Sequence, residues 1–209
     1  MEDVLAVYQR SYDPEFPVVC LDEAAKQLLE DVRVPVQMKP GQILRQDNEY
    51  VRCGTAALFM AFEPLVGKRW VEVRDRRTAV DFAQVVQQLV ETVYSTATKV
   101  VLVLDNLNTH GPHSLYQAFE PATAKRICDR IEWHFTPRHG SWLNIAELEL
   151  SVLARQCLSE RMKSQKYLAE QVEAWQYRRN DAKARVDWHF TCDDARTKLK
   201  RLYPQILTS

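Results

Sequence analysis

Glycine is scarce in this chain, five residues in 209, and no segment is of low complexity. That excludes a Gly-rich linker or fibrous protein, and the 46% hydrophobic content fits an ordinary packed core. No run of about eighteen apolar residues occurs, so no membrane-spanning helix is expected. The opening MEDVLAVYQR carries early acids and lacks the basic-then-apolar pattern of a secretory signal, which points to a cytoplasmic protein. No CxxC pair is present, and the five cysteines (Cys20, Cys53, Cys128, Cys157, Cys192) are scattered. An odd, dispersed set argues against a disulfide framework and against a zinc site, and for small buried hydrophobes in a reducing compartment. Net charge is absent too, with 28 basic and 28 acidic residues. The halves differ, however. Residues 1–120 hold 12 basic and 17 acidic residues, and residues 121–209 hold 16 and 11. The C-terminal part is therefore the better candidate to face phosphate, although an unevenly charged solvated surface explains the split equally well.

The apolar pattern predicts strands at Val18–Leu21, at Thr55–Pro64 and at Arg69–Val73, the last two as a hairpin turning near Gly67. Residues 28–52, with Pro35, Pro40 and Gly41, read as loop with room for one short strand. Helix is expected over Thr78–Tyr94, opened by a Thr78/Asp81 capping box. Val100–Leu104 is a five-residue apolar run suited to a central strand covered on both faces. Helices at Ser114–Phe119 and Ala122–Arg130, a strand at Ile131–Phe135, and helices at Asn144 to about Glu160 and Gln165–Arg179 follow. A short helix over Cys192–Leu202, with Thr191 and Asp194 as its cap pair, ends the chain. Early strands followed by alternating helices and strands imply an α/β mixed sheet flanked by helices, ribonuclease-H-like, with a doubly wound sheet as the competing architecture.

Two of the apolar strands end alike, in VVCLDE and VLVLDN. If those strands lie parallel and adjacent, Asp22 and Asp105 stand side by side at their C-terminal ends, where open α/β sheets place ligands. Paired carboxylates raise one another's pKa, and a hard divalent cation such as magnesium or manganese relieves the repulsion. An aspartate that merely ends a strand or caps a turn needs no metal; two in matched contexts make that explanation weaker. Glu147 is the candidate third acid. It also stands three residues after Asn144, where a glutamate can close a capping box, so a purely structural role stays open. Ser151 and Ala154, at i+4 and i+7 from Glu147, would leave room beside it for a partner strand or a substrate backbone. Glu149 points to another face and cannot join the same site.

LDE at 21–23, LDNLNTH at 104–110, FTPRHGSWLNIAELELSVL at 135–153 and VDWHFTCDDARTKLKRLYP at 186–204 resemble bacterial insertion-sequence transposases of the mariner-related superfamily, the DDE superfamily endonucleases. The resemblance spans nearly the whole chain, and LDN…H followed by WLN-x-x-E is its specific part. It implies a ribonuclease-H-like fold and an acidic triad mapping onto Asp22, Asp105 and Glu147. It further implies two Mg²⁺ ions, with Mn²⁺ able to substitute, one activating water or a DNA 3′-hydroxyl and the other stabilising the leaving oxygen. Its partners would be DNA and a homodimer or higher assembly on DNA, with no membrane and no small-molecule cofactor. The gap of 41 residues between Asp105 and Glu147 exceeds that of eukaryotic mariner relatives, which we assign to extra helix around 114–130. Ile145 replaces a proline that many relatives carry and leaves Glu147 in register.

Other residues have two readings each. Asn106, His110 and His139 can steady a metal ligand or touch phosphate, or belong to self-bonded turns and exposed loop. Arg138, Arg178, Arg179, Lys183 and Arg185 suit DNA phosphates, as they suit a solvated surface. Trp133 and Trp142 fit a core better than base stacking, and Lys198, Lys200 and Arg201 fit a helix dipole. The expected organisation is an extension over 1–17, a catalytic domain over 18–180 and a helical tail over 181–209. Seventeen residues are too few for the helix-turn-helix portion with which relatives read transposon ends. The chain is therefore expected to be a catalytic fragment, or else a catalytically silent remnant that acts only by association with DNA or full-length transposase.

Overall fold

A computed structural model describes residues 1–34, 39–41 and 47–203. Five strands form one mixed sheet: β1 (Val18–Asp31), β2 (Tyr50–Glu63), β3 (Lys68–Arg74), β4 (Val100–Leu104) and β5 (Ile131–Phe135), in the spatial order β3-β2-β1-β4-β5. β1, β2 and β3 pair antiparallel, whereas β1–β4 and β4–β5 pair parallel. The antiparallel half excludes the doubly wound alternative, and the order is ribonuclease-H-like.

Side chains alternate across each strand and feed two cores. On one face Val19, Leu21, Phe59, Leu102 and Leu104 pack with α2 (Ala79–Gln88), α3 (Pro112–Ala118) and α4 (Pro121–Asp129). On the other, Cys20, Leu58, Met60, Phe62, Val101 and Val103 pack with α1 (Glu2–Tyr8), α5 (Ile145–Gln156), α6 (Gln165–Asp181) and α7 (Cys192–Lys198). The result is helices, sheet, helices in three layers. All five residues of β4 are buried, as its unbroken apolar run requires.

Local rules explain most boundaries. Thr78 and Asp81, and again Thr191 and Asp194, close reciprocal capping boxes. The β2–β3 turn uses Gly67 at φ 72°, and a side chain there would also collide with Lys183, whose carbonyl carbon lies 2.8 Å from an ideal Cβ. After α2 the helix widens into a π turn over Leu89–Val93, closed by Tyr94 N–H donating to the Leu89 carbonyl at 2.9 Å.

Several boundaries differ from the sequence expectation. β1 does not stop at Leu21 but runs to Asp31, because β2 satisfies its backbone from Cys20↔Phe62 to Asp31↔Tyr50. Part of the expected 28–52 loop is therefore strand, and part lies outside the described residues. α5 ends at Gln156 rather than near Glu160, and the last helix breaks at Lys198 into a 3-10 turn over Lys200–Leu202. α1 was not expected at all. It is only seven residues long, and its stability comes from burying Val4, Leu5, Val7 and Tyr8 in the common core rather than from propensity.

Candidate active site

The parallel register settles the relation of the two aspartates. Val18 pairs with Val101, Val19 with Leu102 and Cys20 with Val103. Asp22 and Asp105 each lie two residues beyond the Cys20–Val103 pair, so they share one level and, by the two-residue alternation, one face of the sheet. That face is the one α5 covers. β4 ends at Leu104, whereas β1 continues past Asp22, so the acid expected to finish its strand instead sits where β1 loses β4 as a neighbour.

Asn144 fixes the third acid. It is fully buried; its Oδ1 accepts the Ala146 N–H at 3.2 Å as N-cap of α5, and its Nδ2 donates to the Leu21 carbonyl at 2.9 Å. One side chain thus ties the start of α5 to the residue before Asp22. The structural role considered for Glu147 is not used. The backbone N–H of Asn144 already donates to the Ser141 carbonyl at 2.7 Å, and Glu147 closes no capping box. Glu147 is exposed, in line with exposed Ser151 and Ala154, leaving that side of α5 open. Glu149 is indeed elsewhere. Only 2% exposed, it receives Arg69 Nε at 2.6 Å and Arg179 Nε at 3.0 Å.

Burial raises the Asp22 carboxyl to about 6; Asp105 and Glu147 push it the same way, while the Glu23 N–H, donating to its Oδ1 at 2.8 Å, and His110 oppose them. Asp105 and Glu147 therefore each lie close enough to Asp22 to act on its carboxyl. Among the described residues, no group of three or more His, Cys, Asp or Glu side chains is placed so that it could hold a metal ion. The donor set nevertheless fits a hard cation: all oxygens, with negative charge in excess and one carboxyl pushed towards its neutral form. No described helix is long and apolar enough to cross a membrane.

His110 is buried, stacked on Phe82 with ring centroids 4.6 Å apart, and its Nδ1 is hydrogen-bonded to Asp105 Oδ1. Burial alone would lower its pKa, but the Asp105 and Glu23 carboxylates outweigh it and lift the imidazole to about 9. Beside Asp105 opens a cleft of about 290 Å³, lined by Asn106, Leu107, Thr136, Pro137, Arg138, His139 and Ser141. Asn106, Arg138 and His139 are exposed in its wall, and His139 takes a left-handed φ of 62°.

The basic stretch is not at this site. Val186 N–H donates to the Pro64 carbonyl, and Lys183 abuts Gly67, so Lys183 and Arg185 lie by the β2–β3 turn. By the strand registers that turn is at the other end of the sheet from Asp105. Arg178, Lys183 and Arg185 are exposed there, while Arg179 is committed to Glu149. Trp133 stacks on Phe135, and Trp142 is 43% exposed, stacking on Trp188 and meeting Phe190 edge-on. Sequence reasoning missed Glu23 and the second bond of Asn144. The LDE triplet was a signal for Glu23; nothing in the sequence marked Leu21 as a partner of Asn144.

The fold is shared with solved mariner complexes. The Mos1 mariner paired end complex with Mn aligns with a TM-score of 0.55 at 16% identity, covering 87% of this chain and 54% of that one. The Mos1 strand transfer complex (0.54, 15%, 87% and 55%) and the paired end complex with Mg (0.53, 15%, 87% and 56%) align similarly. This chain thus spans just over half the length of those it matches. No curated relative matches the sequence. The family model described as DDE superfamily endonuclease matches residues 17–169 of 209, well over half of the chain, and the protein belongs to that family.

Proposed function

We propose that this chain is the catalytic domain of a transposase that cleaves DNA strands and transfers them, with Asp22, Asp105 and Glu147 holding two Mg²⁺ ions that Mn²⁺ can replace. The observation that carries this is the common level of Asp22 and Asp105 at the β1–β4 seam; the influence of Glu147 on the Asp22 carboxyl supports its place as the third acid. Membership in the DDE endonuclease family and a fold shared with Mos1 complexes solved with Mn and with Mg support it. The cations would supply Lewis-acid assistance to attack on a phosphodiester.

The chain's own residues have separable tasks. Asp22, Asp105 and exposed Glu147 would supply carboxylate oxygens to the cations. His110 holds one oxygen of Asp105 and so leaves the other free. Asn106, Arg138 and His139 receive phosphate in the cleft beside Asp105. Arg178, Lys183 and Arg185 contact DNA backbone remote from the chemistry, and Arg179 serves the α5–α6 contact instead. The catalytic domain is residues 18–180, with 1–17 and 181–203 packed on it and the rest of the 181–209 tail outside the described residues, and it works as a dimer or higher assembly on DNA.

Two measurements test this. Mn²⁺ binding should fall by at least about tenfold in Asp105→Asn, as expected when a ligand or its support is lost; equal affinity removes the metal site. Mn²⁺-dependent nicking of supercoiled DNA should disappear in Glu147→Gln. One observation favours a catalytically silent remnant, namely that no group of three or more acids, histidines or cysteines among the described residues is placed to hold a metal ion. That alternative predicts no Mn²⁺-dependent nicking by the wild type.

A further inference from the structure

Glu23 follows Asp22 on β1 but points to the opposite face, towards α2. Its side chain is 6% exposed and sits between two cations or potential cations: Arg77 Nη1 is 3.5 Å from Oε1, and His110 Nε2 is 3.5 Å from Oε2. The His110 side chain is 1% exposed, and its other nitrogen holds Asp105. Glu23 Oε2 and His110 Nε2 are both buried, and neither has a hydrogen-bond partner. Two orphaned atoms of complementary type, facing each other at just beyond bonding distance, need only a small rotation to satisfy both. Phe82, stacked on the ring from α2, restricts His110 to that plane.

We propose that Glu23 is a positioning residue for Asp105, acting through His110. Arg77 steadies the Glu23 carboxylate from outside, Glu23 Oε2 accepts a hydrogen bond from His110 Nε2–H, and Nδ1–H donates to the Asp105 carboxylate at the β4 end. The relay crosses the sheet seam from β1 to the segment after β4, so it also locks the relative setting of the strands that carry Asp22 and Asp105. Glu23 touches no substrate and no cation. The inference rests on the metal-site assignment of Asp105 above.

The test combines a readout of the strut itself with one of its consequence. In nitrogen-15-labelled protein without metal, the His110 Nε2 proton, assigned by its loss in His110→Ala, should exchange slowly in wild type and in Glu23→Gln, which keeps a carbonyl acceptor. It should be lost in Glu23→Ala. Mn²⁺ affinity should drop about 10–100-fold in Glu23→Ala, the range for losing a group that orients a metal ligand, and recover most of the way in Glu23→Gln. The double variant Glu23→Ala/His110→Ala should bind no more weakly than His110→Ala alone. A freely exchanging Nε2 proton in wild type overturns the strut. Wild-type Mn²⁺ affinity in Glu23→Ala, or losses that multiply in the double variant, overturns the positioning role alone. Wild type that binds no Mn²⁺ removes the metal-site assignment together with the inference.

Discussion

Asn144→Ala should be among the most damaging single substitutions near the candidate site, although Asn144 is none of the three acids. Two separate losses add. Removing an N-cap acceptor costs about 1 kcal/mol, and here the Ala146 N–H loses its partner. Stranding a buried carbonyl costs about 1–3 kcal/mol, and Leu21 O would lose the Nδ2 donor at 2.9 Å. The sum is about 2–4 kcal/mol, or a Tm lower by roughly 5–15 °C for a chain of this size. Asn144→Ser separates the contributions. The hydroxyl keeps the cap and gives up the bond to β1, so its cost should be only about 1–3 kcal/mol. Urea unfolding of the three proteins, with unchanged m values, measures both differences. Asn144→Ala within about 0.5 kcal/mol of wild type would refute the claim that this side chain fastens α5 to β1.

Further outcomes follow from the same contacts. Glu149→Gln should cost about 3–5 kcal/mol in urea unfolding, because the Arg69 side chain, 0% exposed, would be left without its charge partner; a loss under about 1 kcal/mol would mean that the Gly67 and Ala184 carbonyls, to which Arg69 also donates, suffice. Glu147→Gln should leave stability within about 0.5 kcal/mol of wild type while abolishing nicking, since Glu147 is exposed and caps nothing; destabilisation would restore the structural role. Asp22→Asn should stabilise the metal-free protein above pH 6 and not at pH 4. The Asp22 carboxyl is held at about 6 in the fold against an ordinary 3.8, so its ionisation costs the folded state stability as pH rises through that window, by at most about 3 kcal/mol. A pH-independent difference between the two proteins would contradict that cause. Gly67→Ala should destabilise by about 1–3 kcal/mol in thermal unfolding, from left-handed backbone and contact with Lys183; a neutral result would show that the turn can reshape.

The parts of the architecture legible in the sequence were those set by local rules. The apolar run of β4 announced a doubly covered strand, and the Thr78/Asp81 and Thr191/Asp194 pairs marked their helix starts. The matched VVCLD and VLVLD endings set Asp22 and Asp105 side by side on condition that their strands are parallel neighbours, a condition the β1–β4 register meets. What stayed hidden depends on partners distant along the chain. The second half of β1, EAAKQLLED, has no apolar run because β2 alone supplies its pairing and much of its surface is exposed. Glu149 looked like any helix-surface glutamate; its burial is decided by Arg69, 80 residues earlier. Arg179 looked like a DNA contact for the same reason, since nothing local reveals that its guanidinium is already engaged by Glu149. His110 could be read as a residue near the site, but its link to Glu23 needs β1 and the loop after β4 to be side by side.

The central claim is that three carboxylates from β1, the end of β4 and α5 share one cation site. Crystals grown with Mn²⁺ and measured at the manganese absorption edge test it most directly. We expect anomalous density bounded by Asp22, Asp105 and Glu147, with metal–oxygen distances of about 2.0–2.3 Å. Density elsewhere, or none at saturating Mn²⁺ with Glu147 turned away from the two aspartates, would contradict the account.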